Sequence, residues 1–170
     1  MLKMLGAILL TGGAAALGFA AAGQLASRVT ALRALLGALE LMERELAFTL
    51  PSMPELLASL AERAAPPAGG FFARCAQGLG RLGEQSLGEI WRQALEEYPM
   101  DLKEDELQTL RGLGDVLGRY DGEGQRQALG LAREQLSRSL VSAEEDRDRQ
   151  GKVYGALGLT AGTFLVILLL

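Results

Sequence analysis

Apolar side chains recur along this chain at intervals of three and four residues, the spacing that aligns side chains on one face of an α-helix. The first such pattern continues a long apolar stretch and ends near Leu50, directly before Pro51. A second begins at Ser52, which forms a capping-box pattern with Glu55, and extends to about Ala65. No segment alternates Val, Ile and Thr with polar residues, so the pattern predicts an all-α fold.

Two more helices follow the prolines and glycines of residues 66–70, which predict a break in helical structure. The third helix is predicted from Phe71 to about Gln85, although each of its glycines weakens a helix by about 1 kcal/mol relative to alanine. The fourth begins with a second capping-box pattern, Ser86 with Glu89, and ends before the next proline.

The fifth and sixth helices complete the predicted bundle. Asp101 with Glu104 forms a third capping-box pattern, and the apolar face that follows extends to about Tyr120. Asp121 is placed to cap a sixth helix that begins near Gly122. Because short loops join these helices, the simplest arrangement is a compact bundle whose first and last helices lie side by side. The residues predicted for its core include Trp91, Leu110 and Leu136.

Both ends of the chain are apolar stretches long enough to cross a membrane. Residues 4–27 and 153–170 contain no charged side chain, and a helix of about 20 apolar residues spans about 30 Å of hydrocarbon. The sequence therefore predicts transmembrane helices over residues 1–27 and 153–170, with the helical bundle over residues 28–152 between them. An alternative stays open, in which a signal peptide is cleaved near Ala22 and a C-terminally anchored extracytoplasmic domain acts as a binding or scaffold module.

Basic residues near the two apolar stretches predict the orientation of the central domain. Lys and Arg are retained on the cytoplasmic side of a membrane, whereas Asp and Glu have little influence. Only Lys3 lies beyond the apolar stretches, so the central domain is expected to face the cytoplasm. The membrane-proximal basic residues on the domain's side are Arg28, Arg33, Arg138, Arg147, Arg149 and Lys152.

Composition narrows the possible functions. The 170 residues include 17 Lys and Arg against 21 Asp and Glu, and this net charge of −4 offers no basic field for nucleic acid. Histidine is absent and Cys75 is the only cysteine, which excludes an intrachain disulfide, a thiolate or imidazole metal cluster and the commonest catalytic base. We therefore expect no enzyme activity, no metal, no cofactor and no small-molecule substrate.

Small residues in the two apolar stretches predict close helix packing. Glycine weakens a helix, but a line of small residues on one face lets a second helix backbone approach within a membrane. The competing explanation is that glycine and alanine are simply common in membrane helices. The positions at helical spacing are Gly151, Gly155, Gly158 and Gly162 in the second stretch and Ala14, Gly18 and Ala22 in the first.

The whole chain resembles the stage III sporulation protein AB family of endospore-forming bacteria. The likeness rests on the opening Met-Leu-Lys-Met-Leu-Gly-Ala, the amphipathic helix over residues 32–50, Trp91 with Ala94 and Leu95, and the closing Val-Ile-Leu-Leu-Leu. Four further positions carry it, and they are interpreted as a family motif that serves as a helix cap or partner surface. These positions are Leu117, Gly118, Asp121 and Gln125.

The resemblance implies a helical bundle like the cytoplasmic domain of type II secretion F-type platform proteins. It also implies a non-enzymatic platform component of a secretion-like channel between mother cell and forespore, required for endospore formation. The expected partners are the membrane, other stage III sporulation channel proteins and the associated AA ATPase. The expected location is the mother-cell membrane facing the forespore, with two spans and a cytoplasmic central domain.

Overall fold

The structure is a computed structural model that describes the backbone of residues 2–49, 51–117 and 122–169, and the side chains of residues 23–49, 51–117, 123–150 and 153. Those ranges form six α-helices, one short 3-10 turn at Leu79–Arg81 and no strand. The prediction of an all-α protein with about six helices is therefore confirmed. The helices are α1 (Leu2–Phe48), α2 (Met53–Arg63), α3 (Ala68–Gly78), α4 (Leu87–Glu97), α5 (Glu104–Val116) and α6 (Gly122–Leu169).

The chain divides into two compact units, one of residues 28–141 and one of residues 1–27 with 142–170. The larger unit contains α2 to α5 and the adjoining parts of α1 and α6. Within the described ranges, no helix carries an apolar stretch long enough to span a membrane. Most of the two predicted spans lies outside the described side chains, so both spans stay predictions.

Aromatic packing forms the centre of the larger unit. Phe71 and Phe72 of α3 meet Trp91 of α4 edge to face, with ring centroids 4.9 and 5.8 Å from that of the indole. The indole Nε1 donates a hydrogen bond of 2.9 Å to the carbonyl oxygen of Leu110 in α5. A buried indole N–H needs such an acceptor, so this bond joins α4 to α5 inside the core. Trp91, Leu110 and Leu136, which the sequence placed in the core, are all fully buried.

The contact between α4 and α5 depends on a glycine. A Cβ atom at Gly114 would lie 2.4 Å from Cδ1 of Trp91, which is closer than carbon atoms approach without a shift. The missing side chain therefore allows α5 to pack directly against the indole. Gly112 on the same helix differs, because its Cβ position has open space around it.

The first and last helices lie side by side in the larger unit, as the sequence predicted. The Glu43 carboxylate on α1 accepts a hydrogen bond from Arg133 on α6. Leu36 of α1 and Gly130 of α6 line an open groove between the same two helices. The chain therefore begins and finishes this unit on neighbouring helices.

The predicted third helix, over residues 71–85, is wrong at both ends. α3 begins earlier, at Ala68, and its N-cap position is occupied by Pro67, where a missing N–H removes no helical hydrogen bond. α3 ends at Gly78 and passes into the 3-10 turn. Gly83 then has a φ of 112°, a backbone conformation that glycine adopts at little cost, so the chain turns here instead of continuing a helix.

The capping box predicted at the start of α4 is complete. The Ser86 hydroxyl accepts from the Glu89 N–H at 3.3 Å, and the Glu89 carboxylate accepts from the Ser86 N–H at 2.7 Å. At the start of α2 the carboxylate half of the box is formed, because Glu55 accepts from the Ser52 N–H at 2.9 Å. Local sequence is sufficient to start both helices.

The third predicted capping box, Asp101 with Glu104, is wrong. α5 begins at Glu104, and its N-cap is Lys103, whose backbone N–H donates to the Glu106 carboxylate at 2.7 Å. Glu106 is held in this position by a second contact, with Arg28 of α1. A tertiary interaction therefore selects the residue at which this helix starts.

The predicted end of the fifth helix near Tyr120 is also wrong. The last residue of α5 is Val116, and Leu117 has an extended backbone with φ −60° and ψ 123°. The Leu117 side chain is almost fully buried in this conformation. Burial of this leucine favours the extended backbone over another helical turn.

Candidate functional site

A buried ion pair connects α1 with α5. Arg28 donates to Oε1 of Glu106 from Nη2 at 2.6 Å and from Nε at 3.1 Å. Arg28 is 6% exposed and Glu106 is 1% exposed, so both charged groups are removed from water. A contact through two nitrogens compensates for that removal far better than a single hydrogen bond. Arg28, expected as a membrane-proximal basic residue, thus has a structural partner 78 positions away.

The Glu106 carboxylate makes a second contact that the sequence did not reveal. Oε2 accepts the Lys103 N–H, which caps α5, while Oε1 accepts from Arg28. One carboxylate therefore sets both the start of α5 and its position against α1. In the sequence, Glu106 is one of three acidic residues in a first helical turn, a pattern that the helix dipole alone explains.

An open groove of about 360 Å³ lies between α1 and the C-terminal end of α2. Three arginines line it, Arg33 and Arg44 from α1 and Arg63 from the last turn of α2. No carboxylate is among the lining residues, so the charged lining residues are all arginines, and Glu45 beside the groove accepts a hydrogen bond from Arg63. The other lining residues are small or apolar: Ala34, Gly37, Leu41, Ala64 and Ala65. We call this the arginine groove.

Two further grooves in the larger unit differ from the arginine groove in charge. The groove between α5 and α6, about 450 Å³, is lined by neutral side chains, among them the exposed Leu131 and the polar Gln108 and Gln135. The groove between α1 and α6, about 410 Å³, contains both signs, including Glu40 and Arg133. The arginine groove therefore differs from both in having charge of one sign.

Two of the remaining predicted membrane-proximal basic residues make local ion pairs on the surface. Arg138 contacts Glu134, one turn earlier on α6, at 2.8 Å, and Arg147 contacts its neighbour Asp148 at 2.9 Å. Exposed pairs of this kind contribute about 0 to 1 kcal/mol to stability. The other three are Arg33 and Arg149, which are exposed, and Lys152, whose side chain lies outside the described ranges.

Three ionisable groups in the part of the chain that the structure describes have pKa values shifted from their ordinary ones. Burial raises the pKa of the Cys75 thiol to about 12, so almost no thiolate nucleophile is present at neutral pH. Hydrogen bonds from Arg111 lower the pKa of Glu104, and those from Ser52 lower the pKa of Glu55. A catalytic acid requires the opposite shift. No group of three potential metal ligands occurs within the described ranges.

Comparison with known proteins identifies the family of this helical bundle. The family model described as stage III sporulation protein AB matches residues 3–170. The chain belongs to the stage III sporulation protein AB family. It is 28% identical over 172 residues to stage III sporulation protein AB of Bacillus subtilis (strain 168), and the match covers the full length of both chains.

A solved structure of stage III sporulation protein AB (SpoIIIAB) has the same fold. It superimposes with a TM-score of 0.65 at 26% sequence identity, over 72% of this chain and 98% of the other. The family resemblance seen in the sequence is therefore confirmed, and a role in sporulation follows from it.

Of the four positions interpreted as a stage III sporulation protein AB motif, two lie in the described part of the chain. Leu117 is buried at the end of α5, and Gln125 is half-buried in the first turns of α6. Gly118 and Asp121 lie outside the described residues. α6 begins at Gly122, as the sequence predicted, and the role of Asp121 as its cap stays a prediction.

The small residues predicted to pack within the membrane also lie outside the described side chains. Their proposed contribution to helix pairing in this stage III sporulation protein AB family member therefore stays a prediction. The positions concerned are Gly151, Gly155, Gly158, Gly162, Ala14, Gly18 and Ala22.

Proposed function

We propose that this chain is a non-enzymatic membrane platform component of a secretion-like channel between mother cell and forespore. Membership of the stage III sporulation protein AB family supports the sporulation role. Absence of histidine from the sequence and the raised pKa of the Cys75 thiol favour assembly over catalysis. The grooves of the larger unit are open clefts between helices, a shape suited to contact with other proteins.

The observation that carries the proposal is the pairing of the first and last helices. α1 and α6 contact each other through Glu43 and Arg133, and each is one continuous helix that includes a terminal charge-free stretch. A domain that the chain enters and leaves on neighbouring helices is suited to attachment through two membrane spans. In this proposal those spans are residues 1–27 and 153–170.

The proposed orientation follows from the distribution of basic residues. Arginines follow the first apolar stretch and precede the second, whereas the opposite side has Lys3. The central domain would then face the mother-cell cytoplasm, with the spans in the membrane that faces the forespore. Its partners would be other stage III channel proteins and the associated AA ATPase.

A labelling experiment tests this orientation. Glu84 is exposed in the loop before α4, so Glu84→Cys should react with a thiol reagent that cannot cross membranes only after cells are permeabilised. The parent chain serves as the blank, because the Cys75 thiol is buried with a pKa of about 12. Labelling of Glu84→Cys in intact cells would contradict the cytoplasmic orientation and favour the signal-peptide alternative.

Deletion and co-purification in sporulating cells test the channel role. Loss of the chain should abolish heat-resistant spores, and expression of the full chain should restore them. A tagged full chain, solubilised in mild detergent, should co-purify with other stage III channel proteins. Normal spore numbers without the chain would refute the proposed function.

A further inference from the structure

We propose that the arginine groove binds an acidic helix of a protein partner. This inference rests on the proposed function, because it assigns one docking surface to a protein that assembles with others. Arg33, Arg44 and Arg63 bring three guanidinium groups to a groove in which no carboxylate is a lining residue. The partner is defined by this chemistry: a helix that presents two or more Asp or Glu side chains.

Two of the groove arginines, Arg44 and Arg63, have acidic neighbours that leave donors available for a partner. The Glu45 carboxylate accepts from Nη1 of Arg63 at 2.5 Å and from the Ser59 hydroxyl at 2.7 Å. Glu40 lies 4.0 Å from Arg44 on the exposed surface, where such a pair is weak. A guanidinium has five N–H donors. Contacts through one nitrogen of Arg63 thus leave room for a second carboxylate.

The shape of the groove fits a helix. Arg33, Gly37, Leu41 and Arg44 follow one another at intervals of four, four and three residues and so form one stripe along α1. The stripe is about 16 Å long at 1.5 Å per residue. Gly37 lies in its middle, and its Cβ position has no atom within 4 Å. A second helix can therefore approach the α1 backbone there, with arginines at both ends of the contact.

Position along α1 favours a protein over a lipid headgroup. Arg33 and Arg44 are 11 residues apart on α1, which is about 16 Å along a helix axis. A single headgroup phosphate is too small to contact both arginines at once. A groove of about 360 Å³ is also larger than one phosphate or carboxylate group requires. Binding across all three arginines therefore fits an extended acidic partner.

Site-specific cross-linking tests the groove directly. The photoreactive amino acid p-benzoylphenylalanine would replace Leu41 in the full chain, because Leu41 lines the arginine groove and neither of the other two grooves, whereas Gly37 also lines the groove between α1 and α6. Irradiation of sporulating cells should cross-link the chain to a protein segment that carries at least two carboxylates. Arg33→Glu with Arg44→Glu should lower the yield at least about tenfold, as expected when about 1.4 kcal/mol of attraction is lost.

A charge exchange identifies a specific contact. Replacement of the partner's cross-linked Asp or Glu residues with Lys should restore cross-linking and heat-resistant spores in cells that carry the Arg33→Glu, Arg44→Glu variant. This restoration would support the proposal. Arg92→Glu is the matched control, because Arg92 is an exposed arginine on α4, remote in sequence from the groove. It should leave the cross-link unchanged. Cross-linking to lipid, to a second copy of this chain or to no partner would overturn the proposal.

A steric variant separates docking from folding. Gly37→Phe should fill the groove and abolish spores, whereas Gly37→Ala should retain them. Gly80→Phe is the control, because Gly80 in the 3-10 turn also has open space around its Cβ position and lines none of the three grooves. If Gly37→Phe keeps parental spore numbers while deletion of the chain abolishes them, the groove is not a docking site and the proposed function stands. If deletion has no effect, the proposed function fails as well.

Discussion

Removal of one partner from the Arg28 and Glu106 ion pair should strongly destabilise the larger unit. Arg28→Met leaves the Glu106 carboxylate 1% exposed and without its cationic partner. Glu106→Gln leaves the guanidinium buried, while a side-chain oxygen can still accept the Lys103 N–H. The two single variants thus remove one charge each and disturb the cap of α5 as little as possible.

The expected loss is large because neither group can return to water without unpacking α1 from α5. Breaking a buried pair costs about 3 to 5 kcal/mol. For a chain of this size each kcal/mol lowers the melting temperature by about 2 to 4 °C, so either single variant should melt roughly 6 to 20 °C lower. The double variant, Arg28→Met with Glu106→Gln, removes both charges and should lose less than the sum of the single losses.

The single tryptophan provides the assay. Trp91 is fully buried at the contact of α3, α4 and α5, so its fluorescence reports unfolding of the larger unit. Thermal unfolding of the full chain in mild detergent would be followed by the fluorescence of Trp91 in the parent, the two single variants and the double variant. Arg138→Met is the control, because the pair of Arg138 with Glu134 is exposed. It should change stability by less than about 1 kcal/mol.

Two outcomes would refute this reasoning. If both single variants melt within about 2 °C of the parent, the pair does not stabilise the unit by the amount that burial predicts. If the losses of the single variants simply add in the double variant, the two charges are not coupled.

Three other changes have distinct expected results. Gly114→Ala should destabilise the chain, because the added Cβ would lie 2.4 Å from the Trp91 indole. Gly112→Ala should stabilise the chain by up to about 1 kcal/mol, because the Cβ position there is open. Equal melting temperatures for the two variants would contradict this prediction. Cys75 should resist thiol reagents at pH 8 until the chain unfolds. The pKa of the Cys75 thiol in the folded chain is raised above the ordinary 9.0. The thiol's contribution to the free energy of unfolding is therefore complete below about pH 9 and falls toward pH 12. Unfolding measured at a series of pH values would show this decrease. Gly155→Leu with Gly158→Leu should leave the amount of the protein in the membrane unchanged and reduce its cross-linking to neighbouring helices. Unchanged cross-linking would mean that the second predicted span only anchors the chain.

Local sequence was sufficient for the helices because the information that starts and orients a helix lies within a few residues. Spacing of three and four predicted the all-α fold, and Ser86 with Glu89 predicted the start of α4 through bonds that close within one turn. The same spacing placed Trp91 and Leu110 in the core. Neither prediction required knowledge of a distant part of the chain.

Prediction failed where a distant side chain changed the local outcome. Asp101 and Glu104 match a capping box as well as Ser86 and Glu89 do, yet α5 starts at a different cap because Glu106 is held by Arg28. The partner is 78 positions away, so no local window contains both charges. Leu117 likewise ends α5 early through burial that sequence spacing does not express.

The arginine groove shows the same dependence on tertiary structure. Arg33 and Arg44 could be placed on one face of a helix from their spacing, but Arg63 joins them only because α2 packs beside α1. Arg33 was interpreted as membrane-proximal, a property that depends on distance along the chain. A binding surface depends on which side chains meet in space, and electrostatic attraction acts over ångströms rather than residue numbers. The helices can therefore be predicted from the sequence, whereas the surfaces that they form together depend on how the helices pack.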